Sequence, residues 1–164
     1  MGAIGWWLVL ASAWGAEPVI AKSADGAIEG WVDVSAPPAE VYAVISDPRA
    51  VARIDGSAQV KTEADGDCWS VHTHIDHPIA STDYQSRSCA DGELAVKQTL
   101  TESRTMKYYE ARFQVDERPE GSRLHYRIHV QTTLPVPQFV VDRATHKGMG
   151  RLLQRLRDHF ESRS

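Results

Sequence analysis

The sequence has 164 residues, with 18 Lys and Arg against 22 Asp and Glu, which gives a formal net charge of −4 at pH 7. This length suits one domain with one hydrophobic core and argues against a second domain. The acidic balance gives no support to a nucleic-acid partner, because proteins that bind nucleic acids usually carry clustered basic residues.

The first 16 residues contain no charged side chain and are rich in apolar residues. This apolar run is shorter than the roughly 20 residues that a membrane-spanning helix needs. It leads to the small residues Ala11, Ala13 and Gly15, which are typical of a signal-peptide cleavage site. We therefore predict a signal peptide over residues 1–15, a flexible mature N-terminus over 16–26 and one folded domain over 27–164. Export would place the protein in the periplasm or outside the cell.

The folded domain is predicted to open with one strand and two short helices. Apolar and polar residues alternate over Ile28–Val34, which is the pattern of a half-buried strand. Pro37 and Pro38 suit the first turn of a helix, where a missing N–H has no consequence. Asp47 precedes Pro48, which pushes it out of the helical region and ends that helix. A second short helix is predicted from Pro48 to Ile54.

Six further strands are predicted in the middle of the chain. Short turns that contain glycine separate several of them, so we expect antiparallel neighbours in a meander. The predicted strands are Gln59–Glu63, Trp69–Asp76, Thr82–Cys89, Leu94–Thr101, Lys107–Val115 and Leu124–Leu134.

The C-terminal part is predicted to be a long amphipathic helix, because apolar residues recur there at helical spacing. Gly148 and Gly150 are unusual inside a helix, where each costs about 0.5–1 kcal/mol relative to alanine. Either the helix bends or closely approaches another element there, or it begins only after Gly150. The sequence thus predicts an α+β fold, with a curved antiparallel sheet of about seven strands around a long C-terminal helix. The apolar stripe consists of Val141, Met149, Leu152, Leu153, Leu156 and Phe160.

Cys68 lies just before the second of these six strands, and Cys89 ends the third. If the hairpin turns symmetrically about Pro78-Ile79, Cys68 lies directly opposite Cys89 on a neighbouring strand. In an exported protein an even number of cysteines indicates disulfides. We predict one disulfide between Cys68 and Cys89, with two unrelated thiols as the alternative.

Two stretches of the chain carry a resemblance to a known superfamily. One is Val32-Asp-Val-Ser-Ala-Pro-Pro-Ala-Glu-Val-Tyr-Ala-Val-Ile-Ser-Asp-Pro48. The other is Leu134-Pro-Val-Pro-Gln-Phe-Val-Val-Asp142, which leads into Gly150-Arg-Leu-Leu-Gln-Arg-Leu-Arg157. Together they resemble the START-like, or SRPBCC, helix-grip superfamily. The chain is most similar to the polyketide cyclase and coenzyme Q-binding START-like proteins. This resemblance implies a cavity between sheet and helix for a lipid, quinone or polyketide-like molecule. It implies no shared catalytic residues, and we expect no cofactor.

The predicted inward face of the sheet and helix mixes large apolar groups with a few hydroxyls and amides. That mixture is typical of a small-molecule cavity, although an ordinary core shows it too. The predicted ligand-binding residues are Trp69, Val71, Thr73, Tyr84, Ser86, Val96, Gln98, Tyr126, Ile128, Met149, Leu152, Leu153 and Leu156.

One histidine-rich motif suggests a different chemistry. His72-Thr73-His74-Ile75-Asp76-His77 matches the His-x-His-x-Asp-His pattern of zinc hydrolases with the metallo-β-lactamase fold. In a strand, however, His72, His74 and Asp76 share one face, and His77 lies on the other side or in the turn. We therefore interpret the motif as a polar outward face and predict no metal site.

The sequence favours a non-enzymatic carrier for an apolar small molecule. The first alternative is a cyclase or dehydratase on the same fold, in which Tyr84, Tyr126, Glu110 or Arg112 would polarise a carbonyl. A zinc hydrolase is the least favoured alternative. We expect a monomer that makes transient contact with membranes.

Overall fold

The structure is a computed structural model that describes residues 17–78 and 81–163. The predicted signal peptide over residues 1–15 lies outside the described residues, and so does Ile79 of the predicted turn.

The described residues form an open sheet of eight antiparallel strands and three helices. The sheet order is β1-β2-β8-β7-β6-β5-β4-β3. No described helix is both long enough and apolar enough to cross a membrane. The elements in chain order are β1 Val19–Lys22, β2 Ile28–Val34, α1 Pro38–Ile45, α2 Pro48–Asp55, β3 Gln59–Asp65, β4 Cys68–Ile75, β5 Thr82–Ala90, β6 Ala95–Ser103, β7 Met106–Arg118, β8 Gly121–Thr132 and α3 Gln138–Glu161.

The eighth strand, β1, lies within the segment that the sequence analysis assigned to a flexible N-terminus. It pairs with β2, with Val19 opposite Trp31 and Lys22 opposite Ile28. Its four residues include only two large apolar ones, so the segment shows little strand pattern by itself. The strand is held by its partner β2 and by the packing of Ile20 against the hydrophobic core.

The two short helices begin at the predicted prolines, Pro38 and Pro48. Asp47 caps α2 by accepting a hydrogen bond from the Arg49 backbone N–H at 2.9 Å. Gly56 ends α2 in the left-handed conformation, at φ 70°. Helix α2 thereby places the side chain of Asp55 at its C-terminal end, beside α3.

Helix α3 runs without interruption through both of its glycines. A Cβ atom at Gly150 would lie 3.0 Å from Cδ1 of Ile20, so the glycine permits β1 to approach the helix closely. Among the alternatives left open by the sequence, the structure therefore rules out a helix that starts after Gly150. On β2, a Cβ at Gly30 would lie 2.8 Å from Sδ of Met149, which shows that the middle of α3 also packs tightly on the sheet.

The C-terminal half of α3 forms the solid part of the core. Leu153, Leu156 and Phe160 are almost completely buried, together with Val34 and Leu124 of the sheet. Full burial of such side chains contributes roughly 1.5–3 kcal/mol each to folding. The N-terminal half of α3 lies farther along the sheet, where a cavity separates the two layers.

The β4–β5 hairpin has the predicted register. Val71 lies opposite Ser86, and Thr73 lies opposite Tyr84. Cys68 lies opposite Cys89, and the two form a disulfide with their Cα atoms 4.4 Å apart. The predicted disulfide is therefore confirmed in the structure.

Candidate functional site

A cavity of about 690 Å³ lies between the N-terminal half of α3 and the inner face of the sheet. Its walls come from one face of α2, from strands β3 to β8, from the β8–α3 loop and from α3. The exposed residues Asp76, His77, Ala144 and Lys147 stand at its mouth. The cavity is thus bounded by elements from most of the folded chain.

Most of the predicted ligand-binding side chains meet in the wall of this cavity. They project from alternate positions of β4, β5, β6 and β8 and from one face of α3. The predicted residues that line it are Val71, Thr73, Tyr84, Val96, Gln98, Tyr126, Ile128, Met149 and Leu152.

The other four predicted residues lie outside the cavity wall. Leu153 and Leu156 have no exposed surface and belong to the solid core at the far end of α3. Trp69 sits near the start of β4 with the Arg49 guanidinium 5.4 Å from its ring centroid. Ser86 is buried on β5, and its hydroxyl has no hydrogen-bond partner among the described residues. Periodicity placed all four on the inner face, but it does not indicate how far along that face the cavity extends.

Three buried tyrosines, Tyr84, Tyr109 and Tyr126, line the cavity. The rings of Tyr84 and Tyr109 have centroids 4.9 Å apart. Tyr126 stacks on Phe113 at 4.2 Å with an interplanar angle of 11°. The Tyr109 hydroxyl donates a hydrogen bond to Oε1 of Gln98 at 2.9 Å. The cavity therefore has apolar walls with one cluster of phenol groups.

The phenols of this cluster stay protonated at neutral pH. Burial raises the pKa of Tyr84, and hydrogen bonds with Tyr109 and Thr73 offset part of that rise. Burial also raises the pKa values of Tyr109 and Tyr126. The phenols of Tyr84 and Tyr126 raise the pKa of Tyr109 further. For Tyr126, the phenol of Tyr84 adds to the rise in pKa, whereas a hydrogen bond with Tyr109 offsets part of it. The negative charge of Asp55 further raises the pKa values of Tyr84 and Tyr126. A ligand in the cavity therefore meets neutral O–H groups.

One carboxylate, Asp55, also lies in the cavity wall. Its side chain is 14% exposed, and Nε of Arg151 lies 3.5 Å from its Oδ1. That distance fits an ion pair but is long for a hydrogen bond, and Oδ1 accepts no hydrogen bond from a described residue. The other carboxylate oxygen accepts a hydrogen bond from the Ser57 hydroxyl. The wall beside the tyrosines thus carries the negative charge of Asp55, which Arg151 of α3 partly neutralises.

The face of β7 that points into the cavity is the opposite of the one that the sequence analysis proposed. Tyr109 and Phe113 line the cavity, and both were missed. Glu110 and Arg112, proposed to polarise a carbonyl, point outward, so that proposal was wrong. Nζ of Lys97 lies 3.3 Å from Glu110, and Nε of Arg112 lies 2.7 Å from Asp91.

The signal for the β7 residues was present in the sequence. Tyr109, Ala111, Phe113 and Val115 alternate with polar residues, and this pattern indicates the inner face. Asp55 carried no such signal, because its position depends on how α2 packs beside α3.

The histidine motif lies mainly on the outer face of β4. Nδ1 of His74 is 3.0 Å from Asp83, and its Nε2 is 3.1 Å from Asp76, so both ring nitrogens face carboxylates. These contacts raise the pKa of His74. His72 also faces Asp83, while His77 stands at the mouth of the cavity. In the part of the chain that the structure describes, no group of three or more His, Cys, Asp or Glu residues could hold a metal ion.

Comparison with known structures identifies the fold. The Zhui aromatase/cyclase from Streptomyces sp. R1128 matches with a TM-score of 0.74 and 15% identity, over 84% of this chain and 94% of that one. A START superfamily protein from Mycobacterium smegmatis matches with a TM-score of 0.70 and 17% identity, over 84% and 99%. A STAR-related lipid transfer protein from Xanthomonas axonopodis matches with a TM-score of 0.67 and 14% identity, over 89% and 99%. The predicted START-like fold is confirmed.

Sequence comparison gives the family. No curated protein matches the sequence. Residues 26–163 match the family described as polyketide cyclase / dehydrase and lipid transport, which covers nearly all of the described residues. This chain therefore belongs to the polyketide cyclase / dehydrase and lipid transport family, and its fold is START-like.

Proposed function

We propose that this protein is an exported carrier that binds one apolar small molecule, such as a lipid, a quinone or a polyketide-like compound, in the cavity between α3 and the sheet. The observation that carries the proposal is the size and lining of that cavity. Its volume of about 690 Å³ lies within the range of known small-molecule sites, roughly 300–1,000 Å³.

The apolar walls would supply most of the affinity. Val71, Val96, Phe113, Ile128 and Leu152 line opposite sides of the cavity. Each 100 Å² of apolar ligand surface that these walls remove from water contributes about 2.5 kcal/mol, before the cost of association is subtracted. An elongated apolar ligand could therefore bind tightly without any charged contact.

The tyrosine cluster would orient the ligand. Protonated Tyr84 and Tyr126 can donate hydrogen bonds to a carbonyl or hydroxyl oxygen. An anionic group in the same place would be repelled by Asp55, which lines the same wall. We therefore propose that the buried end of the ligand carries a neutral oxygen and that any charged group stays at the mouth.

The disulfide supports the export part of the proposal. Disulfides persist in oxidising compartments and are rare in the cytosol of most organisms. The Cys68–Cys89 bond fits the signal peptide that is predicted over residues 1–15.

An enzyme is the second candidate, and Asp55 is the observation that favours it. A carboxylate of low exposure in the same cavity as Tyr84 and Tyr126 could remove a proton next to a carbonyl that the phenols polarise. Asp55→Asn would then abolish turnover of a polyketide-like substrate. A pure carrier would convert no substrate at all.

Native mass spectrometry tests the proposal. Protein purified from its own host without detergent should carry one apolar molecule that organic solvent extracts. As a matched pair, Val71→Phe fills the cavity, whereas Ala43→Phe adds the same ring on the exposed side of α1. We expect Val71→Phe to lose the bound molecule and Ala43→Phe to retain it. Retention in both variants would contradict the proposal.

A further inference from the structure

An exposed aromatic side chain stands on α3 next to the cavity mouth. Phe139 is 63% exposed, the highest value among the large apolar residues of the described chain. Its neighbour Val140 lines the cavity, as do Val136 and Leu134 of the preceding loop. The apolar lining thus continues outward to a phenyl ring in water, and such exposure commonly marks an interaction site.

Basic residues follow this ring along α3, and another lies in the β6–β7 turn next to the start of the β8–α3 loop. Arg143 and Lys147 follow Phe139 at successive intervals of four residues, so the three form one row on the surface of α3. Arg104 lies in the β6–β7 turn. Its backbone oxygen accepts a hydrogen bond from the hydroxyl of Thr133, the first residue of the β8–α3 loop. Within residues 17–78 and 81–163, none of the three cations has a carboxylate at ion-pair distance. We call Phe139, Arg104, Arg143 and Lys147 the mouth patch.

We propose that the mouth patch docks the protein on a membrane surface that contains anionic phospholipids, so that the cavity mouth opens toward the bilayer. This inference rests on the proposed function, because a bilayer is where an apolar ligand is stored and delivered. Phe139 would insert at the level of the headgroups, and the three cations would lie against lipid phosphates.

The charge distribution argues for an oriented contact. The whole chain has a net charge of −4, so an anionic bilayer repels most of its surface. The nearest carboxylate on α3, Asp142, is already paired with Lys22 at 2.6 Å. Asp76, which also stands at the mouth, is held by His74 and Ser81. The mouth patch therefore combines cations that have no carboxylate partner among the described residues with an exposed apolar ring, and an anionic surface would bind there.

The test measures binding to phosphatidylcholine vesicles with and without phosphatidylglycerol, by sedimentation at low and high salt. The full chain should bind only the anionic vesicles, and high salt should weaken the binding. Arg104→Gln/Arg143→Gln should bind roughly 30-fold more weakly, from the typical contribution of a basic residue near an anionic surface. Phe139→Ser should bind about tenfold more weakly, because it loses an inserted ring.

Two control variants keep the result specific. Arg118→Gln removes an exposed arginine at the other end of β7, and Val19→Ser removes another exposed apolar residue. Both should bind vesicles like the unmodified chain. Two results would overturn the inference. In one, the mouth-patch variants bind vesicles as well as the unmodified chain. In the other, the control variants lose as much binding as the mouth-patch variants. Selective capture of an acidic protein through the same residues, without vesicle binding, would overturn it too.

A separate assay distinguishes this inference from the proposed function. Titration with N-phenylnaphthylamine, a neutral apolar probe, needs no vesicle, and Phe139 and Arg143 do not line the cavity. Their variants should bind the probe like the unmodified chain. If the unmodified chain binds no apolar probe, the proposed function fails, and the vesicle experiment still decides the docking surface.

Discussion

The hydroxyl of Tyr109 donates a hydrogen bond to Oε1 of Gln98 across β7 and β6, with 2.9 Å between the two oxygens. This contact fixes one phenol of the cavity cluster. Tyr109→Phe removes the donor and leaves the Gln98 amide without it, which should lower the free energy of unfolding by about 1–2 kcal/mol. Denaturant unfolding measures this change. Tyr108→Phe is the control, because Tyr108 is exposed and faces outward, and it should change stability by less than about 0.5 kcal/mol.

The tyrosines should matter more for an oxygen-bearing ligand than for a hydrocarbon. Tyr84→Phe and Tyr126→Phe each remove one donor, and loss of a neutral hydrogen bond costs about 0.5–1.5 kcal/mol. We expect a quinone to bind up to about tenfold more weakly to each variant, while a hydrocarbon of similar size binds with unchanged affinity. Titration of both ligands measures the difference. An equal loss for the two ligands would show that the phenols serve only to shape the cavity.

A larger side chain should have different consequences in the cavity wall and in the solid core. Val71 borders empty space, whereas Leu153 lies in the solid core, 3.0 Å from where a Cβ of Gly30 would be. Val71→Phe should leave the free energy of unfolding nearly unchanged. Leu153→Trp should lower it by about 1–3 kcal/mol, because it overpacks the core. Thermal and denaturant unfolding of both variants decide the comparison, and a large loss for Val71→Phe would show that the cavity is smaller than described.

The disulfide should make a measurable contribution to stability. Its cysteines are separated by 21 residues, and a loop of this size contributes about 3 kcal/mol in the chain-entropy account. Cys68→Ser/Cys89→Ser should lose about that amount, and reduction of the unmodified protein should produce the same loss. Thiol titration of the oxidised exported protein should find no free thiol. Two free thiols there would refute the pairing.

The Asp33–Arg123 pair should give stability that depends on pH. Two hydrogen bonds of 2.8 and 3.0 Å from Arg123 lower the pKa of Asp33. A carboxyl with a lowered folded-state pKa contributes stability above its unfolded pKa of about 3.9, and the contribution disappears as pH falls through the lowered value. Asp33→Asn should therefore lose about 1 kcal/mol at pH 7, and this loss should shrink as the pH falls through the lowered pKa. Asp67→Asn, in the exposed β3–β4 turn, is the control and should change the free energy of unfolding at pH 7 by less than about 0.5 kcal/mol.

Export can be tested by the N-terminus of the protein from its own host. The mature chain should begin between Trp14 and Glu17, because the small residues of the predicted cleavage site lie just before. Intact-mass measurement and N-terminal sequencing determine the first residue of the mature chain. A chain that retains residues 1–10 would end the export proposal.

Local pattern was enough to predict most of the fold. The alternation of Val71, Thr73 and Ile75, with a turn centred near Pro78, determined the β4–β5 register and thus the Cys68–Cys89 pair. The prolines at the start of each short helix were equally informative. Strand β1 was missed because its formation depends on β2 and on the packing of Ile20 against Gly150, which no local pattern encodes.

The candidate site was harder to predict than the fold. Alternation identifies an inward face, but the extent of empty space depends on where α3 leaves the sheet. Leu153 lies deep in the core, while Leu152, the preceding residue, lines the cavity. Asp55 enters the wall only because α2 packs beside α3, a relationship between elements far apart in sequence.

Calorimetric titration of an apolar ligand into the unmodified chain and Val71→Phe tests the central claim most directly. A cavity between α3 and the sheet predicts one site in the unmodified chain, with a negative heat-capacity change, and affinity at least tenfold weaker in Val71→Phe. Ala43→Phe, which carries the added ring outside the cavity, should bind like the unmodified chain. Absence of binding in the unmodified chain, or equal affinity in all three proteins, would contradict the account.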